Sequence, residues 1–501
     1  MLYKLFPFKF DLLGWHYWGT KVLPLLCLIA VGFSGAPVFG QSDLVDLTER
    51  QNWDAVDQAI ATTDNIDATQ GDGMTALHWA SWHGRSVVVD QLLTGKAKVD
   101  LKTTYGVTPL SLACERGHDR VVDLLIKAGA DVELARLGKE RPLMLAARQG
   151  NPKVVGSLLE AGAELDAVEA GGQTALMWAA AAGNHQVVDR LIHAGADINI
   201  ALSQSGFTAF HFAARQGRTK TVLRLIKAGF DINAVMKTTK TGGRKPRKKM
   251  SALMLAIESG HLGLALELVE LGANPNDLRS GFAPLHAISW IRKTQVGDNP
   301  AGDPAPRLTG SVNSLEFVRR MLKAGAKVNL QVKKGKAGKT ALNPVGMTPF
   351  MYAASTADLP LMELLLEHGA DPLITNSDGC TTLMAAAGVG VVFVGEYPGS
   401  AEEVDRAVEL LVRLGVDLNA VDANGETAMH GAAYRNYPST VKLLSECGAD
   451  PSVWNKKNKH GWTPHLIASG KRKGSLKPSP PTLAALDAAL AVEIEHAASS
   501  D

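Results

Sequence analysis

Disulfide bonds have little to work with in this chain, because its 501 residues hold only four cysteines, at Cys27, Cys114, Cys380 and Cys447. Cys27 falls inside an apolar N-terminal run. The other three form an odd, scattered set, which excludes a disulfide framework. Cys114 and Cys380 stand where sister segments carry small residues, so both are expected as buried small hydrophobes. An excess of one charge is also missing. The 52 Lys and Arg meet 50 Asp and Glu, so no global field argues for nucleic acid. Without residues 1–40, which carry Lys4, Lys9, Lys21 and Asp11, the two signs balance. Aromatics are 6% of the chain and do not interleave with its basic stretches, which argues against single-strand binding.

Patterns that carry chemistry are absent too. There is no Ser-His-Asp set, nucleophile elbow or phosphate loop. Gly388-Val389-Gly390 is too short for a dinucleotide fingerprint. No Cys or second His stands at metal-ligand spacing beside any histidine. His78 and His83 are five apart and point in different directions on a helix. No catalytic residue, cofactor or metal is expected, and the chain reads as a non-enzyme. The one marked apolar run, Val22–Phe33, is too short for a comfortable membrane span. Lys21 precedes it and Ser-Gly-Ala-Pro-Val-Phe-Gly follows, so residues 1–40 read as a secretory signal cut near Gly40–Gln41, giving a periplasmic or secreted product. The long, aromatic n-region containing Asp11 leaves an uncleaved membrane anchor as the alternative.

What the chain has is a period. A step of the type Thr-Pro-Leu or Thr-Ala-Leu recurs at Ala76, Pro109, Pro142, Ala175, Ala209, Ala252, Pro284, Pro349, Thr382, Ala428 and Pro464, mostly 32 to 34 residues apart. Self-similarity at that period means a solenoid, whose units bury their apolar faces only by stacking. In residues 106–138, Thr108 is an N-cap candidate and Pro109 follows at the first helical position. The first helix stops at Gly117. A second carries Val121, Val122, Leu124, Leu125 and Ile126 on a broad apolar face and stops at Gly129, a left-handed helix end. Small residues at Ala113, Ala146-Ala147, Ala179-Ala180 and Ala213-Ala214 let first helices approach closely.

The unit resembles the ankyrin repeat. The residues that carry the likeness are Thr75-Ala-Leu-His-Trp-Ala80, Thr208-Ala-Phe-His-Phe-Ala-Ala214, Pro284-Leu-His-Ala287 and Thr427-Ala-Met-His-Gly-Ala-Ala433. The endings Ala-Gly-Ala-Asp-Ile-Asn at 194–199 and His-Gly-Ala-Asp-Pro at 368–372 add to it. The resemblance implies an all-α solenoid of about twelve helix-turn-helix units over residues 41–496, with β-hairpin fingers, capping units at both ends and a short tail at 497–501. It also implies a protein partner, bound by a monomer.

Departures from the period fall at 237–249, 294–313, 331–345 and 388–400. Long loops on a rigid scaffold often hold function, although surface insertions are also tolerated without one. Two of the insertions are basic: Lys245, Arg247, Lys248 and Lys249 in one, Lys333 and Lys334 in the other, with Lys456, Lys457 and Lys459 at a corresponding place. They form either a comb for an anionic surface or polymer, or plain solvated loops. On the first helices, Trp79, Trp178, Phe212 and Tyr352 are expected to serve packing. Trp82 and Tyr434 stand one turn further along and are the expected partner contacts. His78, His211, His286 and His430 are expected to hydrogen-bond locally.

Overall fold

A computed structural model describes residues 43–237, 248–294, 306–335, 342–395, 397–471 and 477–498. The N-terminal segment with its expected cleavage site lies outside the described residues. So do Lys245, Arg247 and the middle of the 294–313 insertion.

Threonine caps and apolar spacing build each repeat as the sequence suggests. Thr108 keeps an extended backbone and its hydroxyl accepts the amide of Ser111 at 3.1 Å, while Pro109 opens the helix Pro109–Arg116. The partner helix Asp119–Lys127 buries Val121, Val122 and Leu125 completely. It ends at Gly129, whose φ of +88° admits the amide of Ala130 to the carbonyl of Leu125. That closes the orphan carbonyls of the last turn. Among the described residues there are 25 helices, which form twelve such pairs plus the short helix Pro451–Trp454.

The chain divides into two compact units, one ending at Ala175 and the other starting at Leu176. Four pairs make the first, beginning with the cap Asp43–Glu49 and Trp53–Thr62. The second begins within the helix Ala175–Ala182 and ends with Pro464–Ala468 and Pro480–Ala498, the latter packed on Pro438–Glu446. Helix therefore reaches Ala498, past the boundary expected for the tail. Among the described residues the fingers are tight turns, not the β-hairpins expected. Among the described residues the only strand-like pairing is an isolated bridge, Val235 to Ser251. Backbone hydrogen bonds join one finger tip to the next: Thr104 N–H to Asp72 O at 2.9 Å, Leu137 N–H to Tyr105 O at 3.2 Å, Ser377 N–H to Val345 O at 2.8 Å.

A second ladder runs through the residue that leaves many of the second helices. In the second unit Asn233, Asn276, Asn329 and Asn419 hold this place and can both donate and accept, while Leu373 and Ser452 hold the place after two other helices. Asn276 donates to Gly325 O at 2.9 Å and accepts from Lys327 N–H at 2.8 Å. Asn329 repeats both bonds with Gly369 and Asp371. In the first unit the position holds Asp67, Asp100 or Glu133, which only accept, and each takes the backbone N–H at the start of the next rung. The alanines of the first helices, Ala113, Ala146, Ala147, Ala213 and Ala214 among them, are fully buried. Ala147→Leu is expected to destabilise by about 1–3 kcal/mol through overpacking. Chemical denaturation of the variant checks this, and an unchanged midpoint would refute the register.

Candidate functional site

The signature histidines belong to the frame. His78 Nδ1 lies 2.8 Å from the Thr75 hydroxyl and Nε2 lies 3.1 Å from Val107 O, across to the next finger. His286 reaches Leu330 O at 2.9 Å and His430 reaches Lys456 O at 3.2 Å in the same way. Burial pushes His211, His286 and His430 down to a pKa of about 4, so they are neutral links at pH 7. Among the described residues no group of His, Cys, Asp or Glu is placed to hold a metal.

In the second unit, residues beside the insertions, and their described parts, tie back onto the array. Arg292, at the end of the helix Pro284–Arg292, forks Asp358 at 2.6 and 2.9 Å. Lys293 donates to Ala357 O at 3.0 Å and pairs with Glu403 at 2.8 Å. From the other side Arg435 donates to Ser355 O at 2.9 Å and Pro398 O at 3.0 Å. The turn Ser355–Asp358 is thus gripped by Arg292 and Lys293, which precede the 294–313 insertion, and by Arg435 of a later repeat, which also holds Pro398 of the 388–400 insertion. Gly431 lets that insertion close: a Cβ there would stand 2.8 Å from the backbone nitrogen of Val389. Leu342 of the finger insertion packs on Met347, Met351 and Ala385, and also on Val389. The first-helix face of these repeats is therefore covered by the chain itself.

That cover corrects one expectation. Tyr434 is not exposed. Val391 from the 388–400 insertion and Ile467 from the following repeat bury it to 5% exposure, and its hydroxyl donates to Glu426 at 2.9 Å. Trp79, Trp178, Phe212 and Tyr352 are half-buried, as is Trp82.

Trp82 differs in what lies over it. In the first unit the Arg116 guanidinium sits 4.4 Å from the centre of its ring. One repeat earlier Arg85 sits 4.8 Å from the ring of Trp53. Both arginines are exposed. Sequence reasoning missed Arg85, Arg116 and Trp53. The available signal was an arginine about one repeat after each tryptophan. Next to them Glu115 is held between Arg136 at 2.7 Å and Arg148 at 2.8 Å, so its charge is spent within the array.

The basic fingers are only partly described. Lys248, Lys249, Lys333 and Lys334 are all exposed, as are Lys456, Lys457 and Lys459. They do not form one continuous row. The finger between the first two carries Arg279 paired with Asp277 at 2.8 Å, and those before the third carry Asp378, Asp422 and Glu426.

The sequence profile described as "Ankyrin repeats (3 copies)" matches residues 44–136, 143–236, 310–393 and 400–476, well over half the chain. The chain belongs to the ankyrin-repeat family. Ankyrin arrays generally serve protein–protein interaction. The profile skips 237–309, where the structure continues with the helices Ala252–Glu258, Leu262–Glu270 and Pro284–Arg292. Palmitoyltransferase AKR1 of Lachancea kluyveri is 30% identical over 232 residues, 44% of this ankyrin chain and 27% of its own length. The Transient receptor potential cation channel subfamily A member 1 homolog of Caenorhabditis elegans is 32% identical over 161 residues, 31% of this chain and 12% of its own. Ankyrin repeat and SOCS box protein 16 of Mus musculus is 31% identical over 109 residues, 22% and 23% of the two chains. The chain thus spans about a quarter or less of these relatives.

Proposed function

We propose that this ankyrin array is a non-enzymatic protein-binding scaffold, exported to the periplasm or beyond, that works as a single copy and meets its partner through the Trp82 face of the first unit. The observation that carries the reading is the contrast between two aromatic residues. Tyr434 is sealed under the chain's own insertion, whereas Trp82 keeps part of its ring accessible beneath Arg116. Tryptophan and arginine together are the residues that concentrate binding energy at interfaces.

The palmitoyl transfer named for one relative is not carried over. Acyl transfer through a thiol needs an accessible thiolate. Among the described cysteines, Cys114 and Cys380 are buried with their thiols pushed up by desolvation, and Cys447, though exposed, is pushed up by desolvation and by the neighbouring Glu409 and Glu446. Export is supported by Lys21, the apolar run behind it and the small residues before Gln41. Among the described residues no helix is long and apolar enough to cross a membrane. N-terminal sequencing of the protein from its native source is expected to start near Gln41; Met1 would establish the anchor instead.

The partner is tested by affinity capture from the exported fraction with the full chain and with Trp82→Ala. A stoichiometric partner that is weakened by the variant is expected. The exposure of Lys248, Lys249, Lys333 and Lys334 favours a second reading, an anionic surface or polymer bound through the fingers. Replacing these four by Gln is expected to leave melting unchanged. If the fingers bind an anion, affinity falls and its salt dependence flattens. Binding indifferent to both salt and these changes refutes that second reading.

A further inference from the structure

We infer that the turn edge of the first unit is a receptor for an acidic peptide, gripped by two guanidiniums that Trp53 and Trp82 hold flat. The inference rests on the scaffold reading above and names the chemistry of its partner. Arg85 lies 4.8 Å over Trp53 and Arg116 lies 4.4 Å over Trp82. Each arginine reaches back one repeat, Arg85 from the N-cap of the helix Ser86–Thr94 and Arg116 from the end of the helix Pro109–Arg116, so two such pairs lie on neighbouring repeats. Neither arginine has an ion-pair partner among the described residues, although carboxylates closer to the frame, such as Glu115, are taken up by other arginines. A guanidinium stacked on an indole keeps its N–H edge in the ring plane direction and loses rotamer freedom before any ligand arrives. That pre-organisation suits a forked bond to a carboxylate.

Burial is the largest cause lowering the pKa of His83, the backbone hydrogen bond to Glu49 opposes it, and the nearby positive charges of Arg116 and His118 lower it again. Arg116 also ends the helix Pro109–Arg116, where the helix dipole favours a cation. Two exposed guanidiniums on neighbouring repeats suit the carboxylates of one acidic peptide, whose aliphatic stems would rest on the exposed edges of the two indoles. Nucleic acid fits poorly, because the guanidiniums cover the ring faces on which bases would stack.

The test uses the full chain and three probes: a synthetic peptide alternating glutamate and leucine, its glutamine counterpart, and an oligothymidine of equal charge. Calorimetric titration is expected to show binding of the glutamate peptide at least about tenfold tighter than of either control, as a charge-assisted fork requires. The double variant Arg85→Gln with Arg116→Gln is expected to lose that binding about tenfold while melting as the parent does. Arg85→Lys with Arg116→Lys keeps the charge but loses the fork, and is expected to lose most of the same affinity. Equal binding of the oligonucleotide, or undiminished binding by the Gln variant, overturns the inference. If affinity capture yields a partner weakened by Trp82→Ala while the glutamate peptide fails, this inference falls and the scaffold reading stands.

Discussion

Acidification from pH 7 to pH 4 is expected to remove on the order of 10 kcal/mol of stability from the array. His211, His286 and His430 are each held near pKa 4 by burial, against an ordinary 6.5. The folded protein keeps them neutral between those values while the unfolded chain takes up the protons, so stability falls as pH drops. The contribution is whole above pH 6.5 and fades through the interval down to 4. Each histidine accounts for about 3 kcal/mol at 1.36 kcal/mol per pH step. His78 is also lowered and acts in the same direction. Asp100 and Asp422, whose pKa values burial raises, oppose the trend, because they bind protons more readily when folded. Urea unfolding followed by circular dichroism at pH 7, 5.5 and 4.5 checks this. Midpoints that do not move between pH 7 and 4.5 would contradict the buried, neutral histidines.

Asp358→Ala is expected to cost the second unit about 3–5 kcal/mol, the price of leaving a guanidinium without its buried partner. Asp358 is 1% exposed, forks Arg292, and its carboxylate also faces the amide of Leu361 at the start of the helix Leu359–Glu367. Arg292 additionally meets the Ser314 hydroxyl at 2.5 Å, where the helix after the 294–313 insertion begins. Removing Arg292 as well relieves the stranded charge, so Arg292→Met with Asp358→Ala is expected to be less damaging than Asp358→Ala alone. Denaturation midpoints of both variants decide it. If the double variant were as unstable as the two single losses combined, the pair would not be coupled and the insertion would not be fastened there.

The repeat was legible because its signals are local. Thr108, Pro109 and Gly129 state a cap, a first turn and a left-handed stop within one unit, and the structure places each so. Histidine roles were legible for the same reason, since Thr75 stands three residues from His78. The burial of Tyr434 was not. What covers it is Val391, in a loop of the preceding repeat, and Arg435 fastens that loop to Ser355, 80 residues away. No short-range pattern encodes such a contact. The helix Pro451–Trp454 was hidden differently. Asp450 accepts the Ser452 amide at 2.7 Å, the same turn that ends other second helices without starting a helix. The fingers read as β-hairpins through resemblance, but among the described residues the tips are joined by isolated bonds, such as Thr104 N–H to Asp72 O, and not by a strand ladder.

The central claim is that the first unit binds a partner through a face whose loss leaves the fold intact. The most direct test measures affinity for the captured partner and thermal melting together on Trp82→Ala. The account expects affinity to fall by about 1 kcal/mol, roughly fivefold, with the melting temperature nearly unchanged. A fall in melting temperature that alone explains the lost binding, or affinity unmoved by the variant, would contradict it.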